Sequence, residues 1–221
     1  AMENHLGRIA GRDSLFGKKA LRWNGVESRH YALAPDGAVS HSNAQMCAEA
    51  VRVALEAAQL DPRDLAMLAA ATTQGDLLTP GHAAQVHAEI GGRAMEIASF
   101  QSVCGSSLMA AKAAWLSVRA GEHDVAAACA GEFSSRWFQP SFYEGTALVD
   151  AKGRLRAEAD FLRFTLSDGA GAVVMEPKPR PGALKVEFID IVSLADRFDP
   201  CMWAGATVDD RTDPHAFWSR S

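Results

Sequence analysis

The sequence lacks the features that mark several large classes of protein. It has no run of roughly 18 apolar residues, so no membrane-spanning helix is predicted, and no charged-then-apolar segment near the N-terminus predicts secretion. The formal net charge is −5 and no Lys/Arg cluster is present, which argues against nucleic-acid binding. The four cysteines are far apart and form no CxxC pair, so neither a zinc site nor a disulfide framework is indicated: Cys47, Cys104, Cys129 and Cys201. These absences predict a cytoplasmic protein with free thiols and no bound metal.

Short motifs of common enzyme classes are also missing. Neither a GxGxxG nor a Walker pattern occurs, which disfavours nucleotide-cofactor folds, and the GxSxG motif of hydrolases is absent. His82 and His87 are five residues apart, which is not the i, i+4 spacing that brings two metal ligands onto one helix face. We interpret both as surface or packing histidines. The composition, with 48% hydrophobic and 22% charged residues, is that of an ordinary globular chain.

Apolar runs alternate with helical patterns along most of the chain. Ser42 and Asn43 can cap a helix to about residue 59, with its buried face formed by Met46, Ala50, Val53, Ala54 and Ala57. A second helix follows Thr79-Pro80-Gly81, with Ala83, Val86 and Ile90 inward. Short apolar runs predict buried strands at 65–71, 94–100, 125–130 and 173–175. This order predicts an α/β domain with a largely parallel sheet, an irregular excursion at 136–160, a proline-rich linker at 177–183 and a new strand at 184–192.

Cys104 lies on the turn between the strand at 94–100 and a predicted helix at 106–120, whose apolar stripe is Leu108, Ala111, Trp115 and Val118. Gly121 is a helix-stop signal. A thiol at a helix start is close to the positive end of the helix dipole and to unpaired N–H groups, which favour the nucleophilic thiolate. The same N–H groups can stabilise the oxyanion that forms when a thiolate attacks a thioester. Cys104 is therefore either a nucleophile or, as many free cysteines are, an inert core residue.

A basic and aromatic stretch near the N-terminus, 18–23, includes Trp23 and is followed by Arg29. It is either an entrance segment for an anionic, nucleotide-like group or a solvated loop with Trp23 packed underneath.

Taken together, several segments resemble the thiolase-fold condensing enzymes, in particular the beta-ketoacyl-acyl-carrier-protein synthase III group. Cys104 falls where that family has its nucleophile. The other matching segments, in the family's order and spacing, are 24–30, 71–86, 130–132 and 167–172, the last with the sequence Ser-Asp-Gly-Ala-Gly-Ala. The similarity covers roughly residues 15–195.

The resemblance implies a fold of two similar βαβαβαββ halves. Residues 1–176 then form the N-terminal half, and 184–221 begin an incomplete second half. The implied reaction is acyl transfer from acyl-CoA or acyl carrier protein onto Cys104, with a Cys104 N–H as oxyanion donor, followed by condensation with a malonyl-type thioester. No metal or redox cofactor is implied, since CoA or carrier pantetheine is a substrate carrier. The implied partner is a second copy or a complementary ketosynthase chain.

The sequence departs from the family in three respects. Gly-Ser-Ser follows Cys104 in place of Ala-Gly-Phe, which suggests a specialised branch such as polyketide or other secondary-metabolite assembly beside fatty acid biosynthesis. Trp23 replaces a CoA-contacting arginine. The histidine of the family's second half, and the second histidine or asparagine that acts with it, have no counterpart, since the one late histidine, His215, has no motif around it. We therefore expect a truncated chain or one completed by another polypeptide.

Two alternatives to a condensing function stay open. The chain is either a non-catalytic subunit that shapes a partner's acyl pocket, or an enzyme that transfers the acyl group to an amine or alcohol.

Overall fold

A computed structural model describes residues 2–146, 148–199 and 202. The chain divides into two compact units. We call residues 41–132 and 169–193 the sheet unit, and residues 1–40, 133–168 and those from 194 onward the helical unit. No helix within the described ranges is both long enough and apolar enough to span a membrane. His215 and Cys201 lie outside the described residues.

The sheet unit is a four-stranded sheet covered by three helices. In chain order its elements are α3 (Asn43–Ala57), β1 (Met67–Thr72), α4 (His82–Ile90), β2 (Glu96–Gln101), α5 (Ser106–Ala120), β3 (Ala126–Glu132) and β4 (Gly169–Met175). The strand order is β2-β1-β3-β4. Strands β2, β1 and β3 are parallel, whereas β4 pairs antiparallel with β3. Parallel strands place their carboxyl ends at one edge, so the segments that follow β1, β2 and β3 lie together.

Alternate residues of the central strands enter two apolar layers. Met67, Ala69 and Ala71 of β1 pack with Ala110 and Ala114 of α5. On the opposite face, a second cluster fills the space between the sheet and helices α3 and α4: Ala44, Cys47, Ala48, Val51, Leu55, Leu65, Leu68, Ala70, Ala83, Val86, Ile90, Ala127 and Cys129. Strand β1 is buried on both faces, which explains its uninterrupted apolar sequence.

The structure confirms the predicted helices of this unit and the buried face of α4, formed by Ala83, Val86 and Ile90, but it corrects the buried faces of α3 and α5. Helix α3 is capped by Ser42 in a capping box with Gln45, and α5 ends at Gly121 in the left-handed conformation. The predicted stripe on α5 is wrong at Leu108, which is 56% exposed, and the predicted face of α3 is wrong at Val53, which is 57% exposed. The buried side of α3 consists of Asn43, Ala44, Cys47, Ala48, Val51 and Leu55. Both helices have alanines on several of their faces, so more than one face shows the apolar spacing expected of a buried helix face.

Two strand predictions are also corrected. The strand at 96–101 is an edge strand with largely exposed residues, and Ile97 is 40% exposed, because no further strand pairs with β2 among the described residues. Residues 184–192 form no strand, and Leu184 and Phe188 are 95% and 76% exposed. Alternation alone cannot make a strand without a partner that accepts its backbone hydrogen bonds.

The helical unit contains α1 (Met2–Leu6), α2 (Gly17–Asn24), α6 (Ala157–Thr165) and the 3₁₀ turns η1 (Ser134–Trp137) and η2 (Pro140–Phe142). Helix α6 begins inside the stretch predicted to be irregular, so that prediction is wrong at residues 157–160. Arg29 donates to the carbonyls of Thr165 at 2.7 Å and Leu166 at 3.3 Å, and also to that of Phe164. An arginine therefore satisfies the last carbonyls of α6, a long-range contact with no sequence signal.

The α/β class is confirmed, and the sheet unit follows the order αβαβαββ. This is the expected βαβαβαββ pattern without its first strand, since residues 2–40 contribute only the isolated bridges Ile9–Arg12 and Leu33–Val39 to the described structure. The domain boundaries at residues 176 and 184 stay a prediction.

Candidate active site

The structure places Cys104 on the turn that joins β2 to α5, as predicted. Cys104 is exposed, whereas Cys47 and Cys129 are buried in the cluster between α3 and the sheet. Among the three cysteines in the described ranges, only Cys104 is open to a reagent. The thiol has no hydrogen-bond partner in the described part of the chain.

The serines that follow Cys104 hold the turn in shape. Ser106 bonds the Val103 carbonyl twice, through its hydroxyl at 3.0 Å and its backbone N–H at 3.2 Å. The Ser107 hydroxyl donates to the Cys104 carbonyl at 3.2 Å. The Ser107 hydroxyl therefore satisfies the Cys104 carbonyl just before the helix, and Ser106 gives the Val103 carbonyl two hydrogen bonds. The Gly-Ser-Ser sequence thus has a local structural role at this site.

Helix α5 gives the turn a favourable electrostatic setting for an anion. It is 15 residues long and begins two residues after Cys104, and its first turn contains no acidic residue. Gly105 occupies the cap position without a side-chain cap, so no carboxylate or hydroxyl competes for the first N–H groups there. The positive end of the helix dipole and the nearby N–H groups can stabilise an oxyanion that forms beside this turn.

The carboxyl ends of three parallel strands are tied together beside this turn. The Glu132 carboxylate, which follows β3, accepts the Thr73 N–H at 2.6 Å. The Gln101 amide at the end of β2 donates to the Thr73 carbonyl at 3.3 Å. The contact between Glu132 and Thr73 has no signal in the sequence, because the two residues are 59 positions apart.

A buried asparagine completes this network. The Asn43 amide nitrogen donates to Thr72 Oγ1 at 2.9 Å, to the Gly131 carbonyl at 3.1 Å and to the Gln74 carbonyl at 3.4 Å. The Asp76 carboxylate accepts the N–H groups of Asn43 at 3.1 Å and Ala44 at 2.8 Å. Asn43 was predicted only as a possible helix cap. Its side chain instead connects α3 to the ends of β1 and β3.

The two buried thiols differ from Cys104 in their access to solvent. The neighbouring Cys129 thiol and burial both raise the pKa of Cys47 far above its ordinary value, which keeps this thiol neutral. Cys47 Sγ lies 3.5 Å from Nε2 of His82. His82 is 4% exposed and is therefore a packing histidine. Within the described residues, no group of three or more His, Cys, Asp or Glu side chains could hold a metal ion.

The remaining segments of interest lie in the helical unit. Trp23 is 65% exposed on α2, with the Lys19 ammonium 4.3 Å from its ring centroid. The alternative in which Trp23 packs beneath a loop is therefore wrong. Asp168, from the Ser-Asp-Gly-Ala-Gly-Ala segment, is buried and accepts the N–H groups of Ala32 and Ser135, both at 2.7 Å. These contacts fix the backbone at Ala32 and Ser135.

Comparison with known proteins agrees with this architecture. Residues 79–180 match the family model described as the beta-ketoacyl synthase N-terminal domain. The fold is similar to AbyA1, a tetronic acid condensing enzyme, with 26% identity and a TM-score of 0.73, over 98% of this chain and 62% of that one.

Two further solved structures show the same fold. A cysteine-to-serine variant of Xanthomonas campestris OleA, with bound lauric acid and lauroyl-CoA, is 20% identical with a TM-score of 0.59, over 76% of this chain and 47% of that one. The 3-oxoacyl-(acyl-carrier-protein) synthase III of Aquifex aeolicus is 21% identical with a TM-score of 0.54, over 71% of this chain and 43% of that one. The chain therefore spans between two fifths and two thirds of the length of these structures.

These matches and the sheet topology show the thiolase fold that the condensing enzymes share. Residues 79–180, just under half of the chain, match the beta-ketoacyl synthase N-terminal domain, which agrees with the resemblance that the sequence motifs indicated.

Proposed function

We propose that this chain carries the acyl-accepting site of a ketoacyl synthase III-like enzyme and that Cys104 is the nucleophile. The observation that supports this most directly is the position of Cys104, which is exposed at the start of α5 while Cys47 and Cys129 are buried. The acyl donor is an acyl-CoA or an acyl carrier protein, in keeping with the chemistry of the family.

In the first step, the Cys104 thiolate adds to the carbonyl carbon of the donor thioester. The Cys104 N–H donates to the oxyanion that forms. The carbon–sulfur bond to the carrier then breaks, the carrier thiolate leaves and takes up a proton, and the acyl group stays on Cys104 Sγ.

In the second step, a malonyl-type thioester loses carbon dioxide, and the resulting carbanion attacks the acyl carbonyl. A carbon–carbon bond forms and the Cys104 thiolate is released. The groups that polarise the malonyl thioester in the family are not assigned to residues of this chain. The second step is therefore expected only of an assembly that supplies them.

The decisive experiment is intact-mass spectrometry after incubation with a panel of acyl-CoA and acyl-carrier thioesters. We expect a mass increase equal to one acyl group, which is lost in Cys104→Ala and kept in Cys129→Ala, the matched control with a buried thiol. No mass increase with any donor, while an assembly with a partner chain is acylated on the partner, would identify a non-catalytic subunit that shapes the partner's acyl pocket.

A second candidate is acyl transfer from Cys104 to an alcohol. It is favoured by the similarity to a tetronic acid condensing enzyme, because a tetronic acid is a lactone and its ring contains an acyl–oxygen bond. Acyl-Cys104 protein would be mixed with alcohol acceptors or with a malonyl-type thioester, and the products would be identified by mass. An ester product without carbon dioxide release supports the second candidate, whereas a ketone-containing product with carbon dioxide release supports condensation.

We further propose that the chain associates with a second copy or with a complementary ketosynthase chain. Exposed apolar side chains on α5 support this, since Leu108 and Leu116 are 56% and 47% exposed, and Phe188 of the sheet unit is 76% exposed. Sedimentation of the isolated chain is expected to show concentration-dependent species heavier than 23.6 kDa. A monomer at every concentration, with no gain in mass when a ketosynthase chain is added, would contradict this.

A further inference from the structure

One residue of the sheet unit, Thr73, is held on both sides of its backbone by side chains from neighbouring strands. Its N–H donates to the Glu132 carboxylate at 2.6 Å, and its carbonyl accepts from the Gln101 amide at 3.3 Å. Glu132 ends β3 and Gln101 ends β2, so Thr73 connects two strands that are not neighbours in the sheet.

The loop that contains Thr73 is also fixed at its other end. The Gln74 carbonyl accepts from the Asn43 amide at 3.4 Å, and the Asp76 carboxylate accepts two N–H groups at the start of α3. Because both ends are held, the loop can act as a rigid connection between Glu132 and Gln101.

Gln101 is the last residue of β2, and Cys104 follows after Ser102 and Val103. The Gln101 backbone pairs with Thr72 of β1 and its side chain bonds the Thr73 carbonyl, so β1 and the loop after it set where the Cys104 turn begins. We propose that Glu132 is a positioning residue: it holds Thr73, which holds Gln101, and so fixes the Cys104 backbone N–H in the place where it receives the oxyanion. The inference rests on the proposed acylation of Cys104.

Two reactions of the same thiol separate this role from a general structural one. Acylation by a thioester develops negative charge on the carbonyl oxygen, so it depends on the position of the Cys104 N–H. Alkylation by iodoacetamide forms a carbon–sulfur bond at a saturated carbon and releases iodide, so no oxyanion forms. Loss of positioning should slow the first reaction and leave the second unchanged.

The test compares Glu132→Ala, Glu132→Gln and the control Glu56→Ala, which changes an exposed glutamate of α3. Acylation with excess acyl-CoA and alkylation with iodoacetamide are each followed by intact mass. We expect Glu132→Ala to slow acylation by about ten- to a hundredfold, the range that a small misplacement of a reacting group produces. Alkylation should stay within about twofold of the wild-type rate. Glu132→Gln should recover most of the acylation rate, because its amide oxygen can still accept the Thr73 N–H.

Backbone amide exchange provides a readout that does not require acylation. We expect faster exchange at residues 101–105 in Glu132→Ala than in the wild type, with unchanged exchange in β1 and in the second half of α5. Exchange at 101–105 equal to the wild type would overturn the inference.

The outcomes distinguish the inference from the proposed function. If the wild type is acylated and Glu132→Ala is acylated equally fast, the positioning role is wrong and the nucleophile stands. A parallel loss of acylation and alkylation indicates general damage and also overturns the positioning role. If Glu132→Gln does not recover the acylation rate, the negative charge of Glu132 and not its hydrogen bond to Thr73 controls acylation. That result also overturns the positioning role. If the wild type is never acylated, the proposed function fails and the positioning role falls with it.

Discussion

Different kinds of interaction stabilise the sheet unit and the helical unit internally. In the sheet unit, regular backbone ladders join the four strands, and alanines such as Ala70 and Ala127 fill much of the space between sheet and helices. In the helical unit, single charged side chains bond distant backbone groups, as Arg29, Arg163 and Asp168 do. Asp76 and Glu132 make similar bonds at one edge of the sheet, but ladders and apolar layers stabilise the rest of that unit, so its stabilisation is spread over more residues than in the helical unit. Single polar substitutions should consequently damage the helical unit more.

The largest effect is expected from Arg163→Ala. Arg163 is fully buried on α6, donates to the Phe138 carbonyl at 2.8 Å and also to the Gly7 carbonyl. Its removal leaves these carbonyls without the arginine donor and creates a cavity, which should lower the free energy of unfolding by about 3–5 kcal/mol. Chemical denaturation measures this. The matched control is Arg156→Ala, at an exposed arginine before the same helix, with an expected change below about 0.5 kcal/mol. Equal stability of the two variants would remove the contrast between the units.

The sheet unit should be most sensitive where backbone and helix approach closely. A methyl group added at Gly131 of β3 would overlap Cys47 Sγ, lie 2.5 Å from Asn43 Oδ1 and lie 3.2 Å from the Ala170 Cβ. Gly131→Ala should destabilise the protein by about 1–3 kcal/mol through overpacking. At Gly171 of β4 an added methyl group meets nothing within 4 Å, so Gly171→Ala is the control, and thermal unfolding compares the two. A destabilisation of the control as large as that of Gly131→Ala would mean that strand alanines are harmful in general.

The helical unit should also respond to alkaline pH through its tyrosines. Both tyrosines of the chain belong to this unit: burial raises the pKa of Tyr31 to about 12 and raises that of Tyr143 further. Unfolded tyrosines ionise near about pH 10. Because the tyrosine pKa is higher in the folded state, the neutral tyrosines stabilise the folded state fully below about pH 10. This contribution to the free energy of unfolding decreases as the pH rises toward 12.

Ultraviolet titration of tyrosinate in the native and denatured protein tests this expectation. Tyr31→Phe should remove the earlier native transition and leave the later one. Native tyrosines that ionise at the same pH as denatured ones would contradict the buried positions.

The smallest effect is expected at the cap of α3. The Ser42 hydroxyl accepts the Gln45 N–H at 3.1 Å, and the Gln45 side chain accepts the Ser42 N–H at 3.0 Å. Ser42→Ala should cost about 1 kcal/mol, and Ser42→Asp should recover most of it. The midpoint of urea denaturation resolves these differences. A loss as large as that of Arg163→Ala would show that stabilisation in the sheet unit is also concentrated on single side chains.

The units also differ in how well the sequence predicts them. Helix α5, strand β1 and the turn at Cys104 are encoded locally, because an apolar run, a helical period and a stop glycine occur within a short segment. Helix α6 was missed since its inner side includes the polar residues Asp160 and Arg163, which hide the apolar period. The buried faces of α3 and α5 were misassigned because alanines occur on several sides of each helix. The contacts of Glu132, Gln101 and Asn43 have no sequence signal, because their partners are far away in the chain.

The sequence by itself determined the order of helices and strands in the sheet unit, the resemblance to the ketoacyl synthases and the location of Cys104 before a helix. Each of these depends on neighbouring residues, on which hydrophobic period, capping and chain direction act. Only the tertiary structure decided that β2 is an exposed edge strand, that 184–192 is not a strand, and that Thr73 is held between Glu132 and Gln101. Strand pairing and side-chain hydrogen bonds need partners brought together by folding, and a local pattern does not specify those partners.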